Sequence, residues 1–229
     1  MNESPLVLQT VFQIGPVPIT QAVLTTWVIM AVLAVGARLL TRKLSLEAGS
    51  AQTVLELVVT TIDAQIEQTM QRPATQFRTL IGTLFIFILA ANWSSLVPNV
   101  EPPTARLETD AALAVIVFAA TIWFGVRENG PLGYLKTFAE PSIVMAPLNL
   151  IEQITRTFSL MVRLFGNVMS GVFVVGIVLS LAGLLVPIPL MALDLLTGAV
   201  QAYIFAILAT VFIGAAVSEG TPKTGKETD

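Results

Sequence analysis

The sequence predicts an all-α, polytopic integral membrane protein with about five transmembrane helices. Of its 229 residues, 55% are hydrophobic and 12% are charged, whereas charged residues make up about 25% of typical soluble domains. Several charge-free segments also approach or exceed the roughly 20 residues of helix that cross the ~30 Å hydrocarbon core of a bilayer. We therefore expect a single membrane domain over residues 1–229.

The charge-free segments define five spans in order along the chain. The first is expected to be retained, because an acid lies in MNESPL where a signal peptide needs positive charge. Pro187 and Pro189 separate the last two spans, which should form a long, tilted helical hairpin. The stretch Leu148 to Val186 would be about 58 Å long as one helix, so we expect either strong tilt or a break near one of its glycines. The predicted spans are residues 19–40, 77–98, 111–127, 142–185 and 190–218.

Two connecting segments follow different patterns. Residues 44–70 mix apolar and acidic positions at helical spacing, which predicts an amphipathic helix. This helix should lie on the inner membrane surface, or a partner subunit should cover its apolar face. The loop from Pro98 to Asp110 contains three prolines and is predicted to be irregular.

The distribution of basic residues predicts the orientation. With the amino terminus outside and the carboxyl terminus in the cytoplasm, nine of the 12 Lys and Arg residues lie in inside segments, and Arg106 lies in an outside loop. Basic residues favour inside loops. The remaining two, Arg156 and Arg163, fall within the fourth span and need a separate explanation.

Composition also limits the chemistry. The chain contains no Cys and no His, so disulfides, thiolate metal sites and histidine proton relays are excluded. No metal or cofactor is predicted. The net charge of −3 indicates no nucleic-acid partner, and the chain has no phosphate-binding loop, so no nucleotide hydrolysis is expected of the chain itself.

The fourth span carries a polar stripe. Glu152, Arg156, Ser159 and Arg163 fall within ~60° of one helix face. Glu152 and Arg156 are spaced for an ion pair, which is either structural or functional. Arg163 has no acid within one turn, and its depth in the membrane favours a function over a snorkelling arginine.

The fifth span adds Asp194 and Gln201, which are seven residues apart and therefore share a face. Taken singly, Asp194 is explained as an interfacial residue at a helix start and Gln201 as a hydrogen-bonding contact between helices. Together with Arg163, they place a cation, an acid and an amide in an otherwise apolar hairpin. This combination is typical of an ion path.

Two segments resemble a known family. The run TFSLMVRLFGNV, residues 157–168, and the segment QAYIF, residues 201–205, resemble the signature of subunit a of F-type ATP synthases. The resemblance covers most of the chain. The stretch from PVPIT, residues 16–20, to LLVPIPLMALDLLTG, residues 184–198, resembles more narrowly the subunit a of alternative F-type ATPases, which some bacteria carry beside their ordinary one.

The resemblance implies roles for individual residues. Arg163 matches the essential arginine of the family, Asn167 and Gly171 match the asparagine and the small residue after it, and Gln201 matches the glutamine of the last helix. Two positions depart from the family pattern, where glutamate or histidine is common. Their occupants here are Val172 and Asp194.

The same resemblance implies a stator that passes protons or sodium ions to and from a rotating c-ring through two half-channels. Asp194 would lie in the outer half-channel, and Glu152 and Ser159, nearer the inner face, would line the inner one. Arg156 is included among the ion-translocation residues. The implied partners are the c-ring, the peripheral-stalk subunit b, other Fo and F1 subunits and the lipid bilayer, in a bacterial plasma membrane. A secondary transporter, which usually shows internal repeats, and a purely structural membrane subunit are the alternatives.

Overall fold

The computed structural model describes residues 10–14, 17–42, 50–97, 100–139, 145–182 and 186–218. In these ranges the chain forms six α-helices, three short 3-10 turns and one antiparallel β-hairpin. The hairpin, which the sequence did not predict, pairs β1 (Thr10–Ile14) with β2 (Val17–Thr20). The helices are α1 (Gln21–Thr41), α2 (Ser50–Met70), α3 (Arg78–Trp93), α4 (Leu107–Ala139), α5 (Ala146–Ala182) and α6 (Pro187–Ser218).

The predicted fold class is confirmed, because five of these helices are long and apolar enough to cross a membrane. They are α1, α3, α4, α5 and α6. Parts of the predicted segments lie outside the described residues, namely 44–49, 98, 142–144 and 183–185.

Helix α4 differs from its prediction at both ends. It begins at Leu107, so the prediction that the irregular loop extends to Asp110 is wrong. Acids in a first helical turn are stabilised by the helix dipole, and Glu108 and Asp110 occupy that turn. The helix is kinked at Gly130, whose φ of 72° is accessible to glycine at little cost.

The hairpin of α5 and α6 is built from long helices. Helix α5 runs unbroken for 37 residues, or about 55 Å, so none of its glycines breaks it. Helix α6 already begins at Pro187 and includes Pro189 in its first turn. Proline is tolerated there because the first backbone N–H groups of a helix have no intrahelical partner.

Helices α3 to α6 pack around one buried apolar cluster. Helix α6 runs antiparallel to α5, because Gly171 packs against Asp194 and Arg156 against Phe212. We call the end of the bundle where α4 begins the Thr104 end, and the opposite end the Ser218 end. The central cluster consists of Leu84, Ile88, Leu113, Ala114, Val117, Leu160, Leu164, Ala202, Phe205 and Ala209.

Helix α2 packs near the Ser218 end against α3 and α6. Its residues Ile66 and Met70 are buried in a second apolar cluster that includes Ile213 of α6. The chain itself therefore covers this half of the apolar face of α2. In the first half of α2, by contrast, Val54 and Leu57 remain 61% and 65% exposed. The hypothesis that a partner subunit covers the apolar face of this helix now applies to that half.

Candidate functional site

The polar stripe of α5 lines an open groove of about 550 Å³. Residues of α6 form its other wall. The groove extends from near the Ser218 end of the bundle to its middle, where Arg163 is its last polar residue. Its lining residues are Leu148, Ile151, Glu152, Thr155, Arg156, Ser159, Leu160, Arg163, Leu208 and Phe212.

Glu152 and Arg156 form the ion pair predicted from their spacing. Both side chains are about half exposed, at 54% and 43%. The Arg156 guanidinium also lies 5.5 Å from the centre of the Phe212 ring, within the range of a cation–π contact. The charge of Arg156 is therefore balanced within the chain.

Arg163 has no such partner. Its side chain is exposed in the groove and forms no hydrogen bond or ion pair with the part of the chain that the structure describes. The carboxylate nearest along the stripe, Glu152, is bound to Arg156. Arg163 thus presents an unbalanced positive charge on the open face of a membrane-spanning helix.

Two predicted residues meet near the Thr104 end of the hairpin. A Cβ at Gly171 would lie 2.0 Å from Oδ1 of Asp194, so the carboxylate fills the space that a larger residue would occupy. Ser95, which the sequence analysis did not single out, donates a hydrogen bond of 3.5 Å to Oδ2 of Asp194. Asp194 is therefore held between α5 and the 3-10 turn after α3.

Two predicted amides have buried nitrogen atoms without a hydrogen-bond partner among the described residues. Gln201 is 7% exposed, and its Nε2 atom has no partner among the described residues. The same is true of the Nδ2 atom of Asn167. Gln201 and Arg163 both lie between the Gly171–Asp194 contact and the Arg156–Phe212 contact. No hydrogen bond joins the Gln201 side chain to the Arg163 side chain.

A buried hydrogen-bonded chain links three further elements near the Thr104 end. Thr104 donates to Oδ1 of Asn92 at 2.7 Å, and Nδ2 of Asn92 donates to the Gly198 carbonyl at 2.8 Å. Asp110 lies in the first turn of α4 and is fully buried, without a hydrogen-bond partner for its carboxylate in the described structure. Sequence reasoning missed Thr104 and Asp110; the signal for Asp110 was an acid directly before an apolar span.

The site thus has two polar regions on either side of Arg163. An open groove with Glu152 and Ser159 leads toward the Ser218 end. Partly or fully buried groups, including Asp194 and Gln201, lie toward the Thr104 end. Polar groups in a membrane-spanning bundle are costly and typically mark ion pathways. Here the guanidinium of Arg163 lies between the two polar regions.

Comparison with known proteins identifies the family of the chain. The family described as ATP synthase A chain matches residues 23–214. The chain is 58% identical to "ATP synthase subunit a 2" of Bradyrhizobium sp. (strain BTAi1), over 95% of this chain and 97% of that protein. It is 47% identical to "ATP synthase subunit a" of Albidiferax ferrireducens, over 93% of each chain.

A third relative, "ATP synthase subunit a 1" of Chlorobaculum parvum, is 46% identical over 90% of this chain and 92% of that protein. The family match extends from α1 to α6, so it includes both the groove and the buried polar groups. The resemblance to subunit a of F-type ATP synthases is therefore confirmed, and the chain belongs to the ATP synthase A chain family as a multi-pass membrane component.

Proposed function

We propose that this chain is the stator subunit of the Fo sector, which forms two ion half-channels and couples ion flow to rotation of a c-ring. The observation that carries the proposal is the exposed Arg163, which has no partner among the described residues and stands between two polar regions of the hairpin. A structural subunit has no need of an unbalanced charge on a membrane-facing groove, because such a charge is costly there.

The physical role of Arg163 follows from Coulomb interactions. A fixed positive charge repels a free proton or sodium ion and attracts a c-ring carboxylate that has released its ion. Arginine suits this barrier role because its guanidinium stays protonated in proteins. Ions would therefore cross only by riding the ring, and the two half-channels would stay separate.

The remaining residues divide between the half-channels. Asp194, held by Ser95 and seated on Gly171, would receive the ion in the outer half-channel near the Thr104 end. Asn167 and Gln201, whose amide nitrogens have no partner among the described residues, would contact the ion or its water there. Glu152, Ser159 and Arg156 would line the inner half-channel, where the groove opens toward the Ser218 end.

This function requires other ATP synthase subunits as partners and a defined orientation in the membrane. A c-ring would cover the polar stripe of α5, because exposed polar groups at membrane depth need protein or water around them. Subunit b of the peripheral stalk and other Fo and F1 subunits would hold the chain against the turning ring. We place the single membrane domain in the bacterial plasma membrane with the Thr104 end outside and the Ser218 end in the cytoplasm, and assign ATP chemistry to other subunits.

The test is Arg163→Ala in the complete ATP synthase, reconstituted in vesicles. ATP synthesis should fall at least tenfold, the subunit should still assemble with the c-ring, and passive ion leakage should persist or rise. Arg38→Ala is the control, because Arg38 is an exposed arginine in the last turn of α1, away from the groove. Near-normal synthesis by the Arg163 variant would rule out the stator function.

A further inference from the structure

Helix α4 carries a buried acid that the proposed path does not yet use. Asp110 is the fourth residue of α4 and has no exposed surface. Neither of its carboxylate oxygens accepts a hydrogen bond from the residues that the structure describes. The basic residue nearest in sequence, Arg106, is occupied by Glu101 through contacts of 2.8 and 3.0 Å.

Packing does not explain an acid at this position. A buried carboxylate without a partner is costly, whereas a hydroxyl of similar size can bond to its own helix. Thr121, also on α4, does so by donating to the Val117 carbonyl at 2.8 Å. A favourable charge for the helix dipole is already supplied by Glu108, which lies in the same first turn and is exposed.

The surroundings of Asp110 are polar on one side and apolar on the other. Leu113, almost one turn further along α4, belongs to the central apolar cluster together with Leu164 and Ala202. Next to this cluster, toward the Thr104 end, four helices and the 3-10 turn before α4 contribute a layer of polar side chains. Its members are Asn92, Thr104, Asp110, Asn167 and Gln201.

This polar layer is only partly satisfied by the protein. Asn92 and Thr104 bond to each other, but Asp110, Asn167 and Gln201 leave two carboxylate oxygens and two amide nitrogens without partners among the described residues. Buried acceptors and donors of this kind are normally satisfied by water or ions. Three such side chains on the neighbouring helices α4, α5 and α6 are typical of a hydrated path rather than a packed core.

We propose that Asp110 is a second cation-binding carboxylate of the outer half-channel, acting beside Asp194 and supplied by α4. The inference rests on the proposed function, because it concerns the same ion path. The bound species is the translocated monovalent cation, a proton or a sodium ion, and Asn167 and Gln201 complete the hydrated surroundings of the carboxylate.

The first test compares Asp110→Asn and Asp110→Glu with Asp194→Asn and Arg163→Ala in the complete ATP synthase in inverted vesicles. Asp110→Asn keeps the shape of the side chain but removes the acid that would bind and release a cation, so ATP-driven ion pumping should fall at least tenfold, and Asp110→Glu should restore most of it. Normal pumping by an assembled Asp110→Asn complex would overturn the inference. If Asp194→Asn and Arg163→Ala abolish pumping in the same series, the proposed function stands even when the Asp110 inference fails.

A second test does not depend on activity or on the behaviour of the asparagine variant. The chain contains no cysteine, so Asp110→Cys and the control Ala114→Cys each introduce one thiol into it. Ag⁺ added to the assembled complex should protect the thiol at position 110 from later alkylation, because a hydrated path admits the ion. The thiol at position 114, in the apolar cluster, should stay unprotected. Equal lack of protection at both positions would show that Asp110 is enclosed in a dry core and would overturn the inference.

Discussion

The carboxylate of Asp194 occupies the space beside the α-carbon of Gly171, where an added Cβ would lie 2.0 Å from Oδ1. Real Cβ atoms do not approach other heavy atoms below about 3.0 Å, so residue 171 must be glycine for Asp194 to keep its position. This contact joins the two helices of the hairpin at the point where the sequence resemblance places a small residue on one helix and, on the next, a position at which glutamate or histidine is common.

We predict that Gly171→Ala impairs ion flux by displacing the Asp194 carboxylate. Alanine favours a helix interior over glycine by roughly 1 kcal/mol, so helix propensity alone would make this change stabilising. Gly176→Ala on the same helix is the matched control, because a Cβ there meets nothing within 4 Å. Measured as ATP-driven pumping in vesicles, the Gly171 variant should fall several-fold and the Gly176 variant should be unchanged. Equal pumping by both would contradict the proposed role of the contact.

A second prediction concerns the kind of positive charge in the groove. Arg163→Lys keeps the charge but loses the planar guanidinium and its permanent protonation, so ATP synthesis should fall at least tenfold. Arg156→Lys makes the same change in the same stripe, where the ion pair with Glu152 is exposed and exposed pairs contribute only about 0–1 kcal/mol. It should keep most of the synthesis. Similar loss in both variants would show that the stripe acts only through its total charge.

A third prediction concerns stability near the Thr104 end. Thr104→Val removes the donor to Asn92 while keeping the side-chain shape, and it leaves a buried amide oxygen unpaired. Such a loss costs about 1–3 kcal/mol. The temperature at which the subunit dissociates from the solubilised complex should fall, whereas Thr104→Ser, which keeps the hydroxyl, should change it little. An unchanged dissociation temperature in the valine variant would show that this hydrogen bond contributes little to stability.

The fourth prediction tests orientation. The chain lacks cysteine, so a single thiol can be introduced at Val97 or Leu132, which are 52% and 76% exposed. We expect a membrane-impermeant maleimide to label Val97→Cys from outside intact cells and Leu132→Cys after the cells are opened. The reverse pattern would invert the proposed topology and exchange the two half-channels. Denatured samples serve as the control for thiol reactivity.

The sequence by itself determined the membrane fold class, the long apolar helices and the polar stripe of α5. Lipid requires continuous apolar helices because backbone groups find no water there, and helical periodicity places Glu152 and Arg163 on one face regardless of what packs nearby. The family followed from the residues around Arg163. These features are local, so composition and spacing were sufficient to find them.

Only the tertiary structure decided which polar groups are buried and which groups they meet. The Asn92 donor finds the Gly198 carbonyl 106 positions away, and Asp194 finds Gly171 on the preceding helix. Asp110 was assigned to a loop because its neighbours in sequence are polar and rich in proline, yet it is fully enclosed in the first turn of α4. Burial depends on how separate helices pack side by side, and spacing along one chain segment does not contain that information.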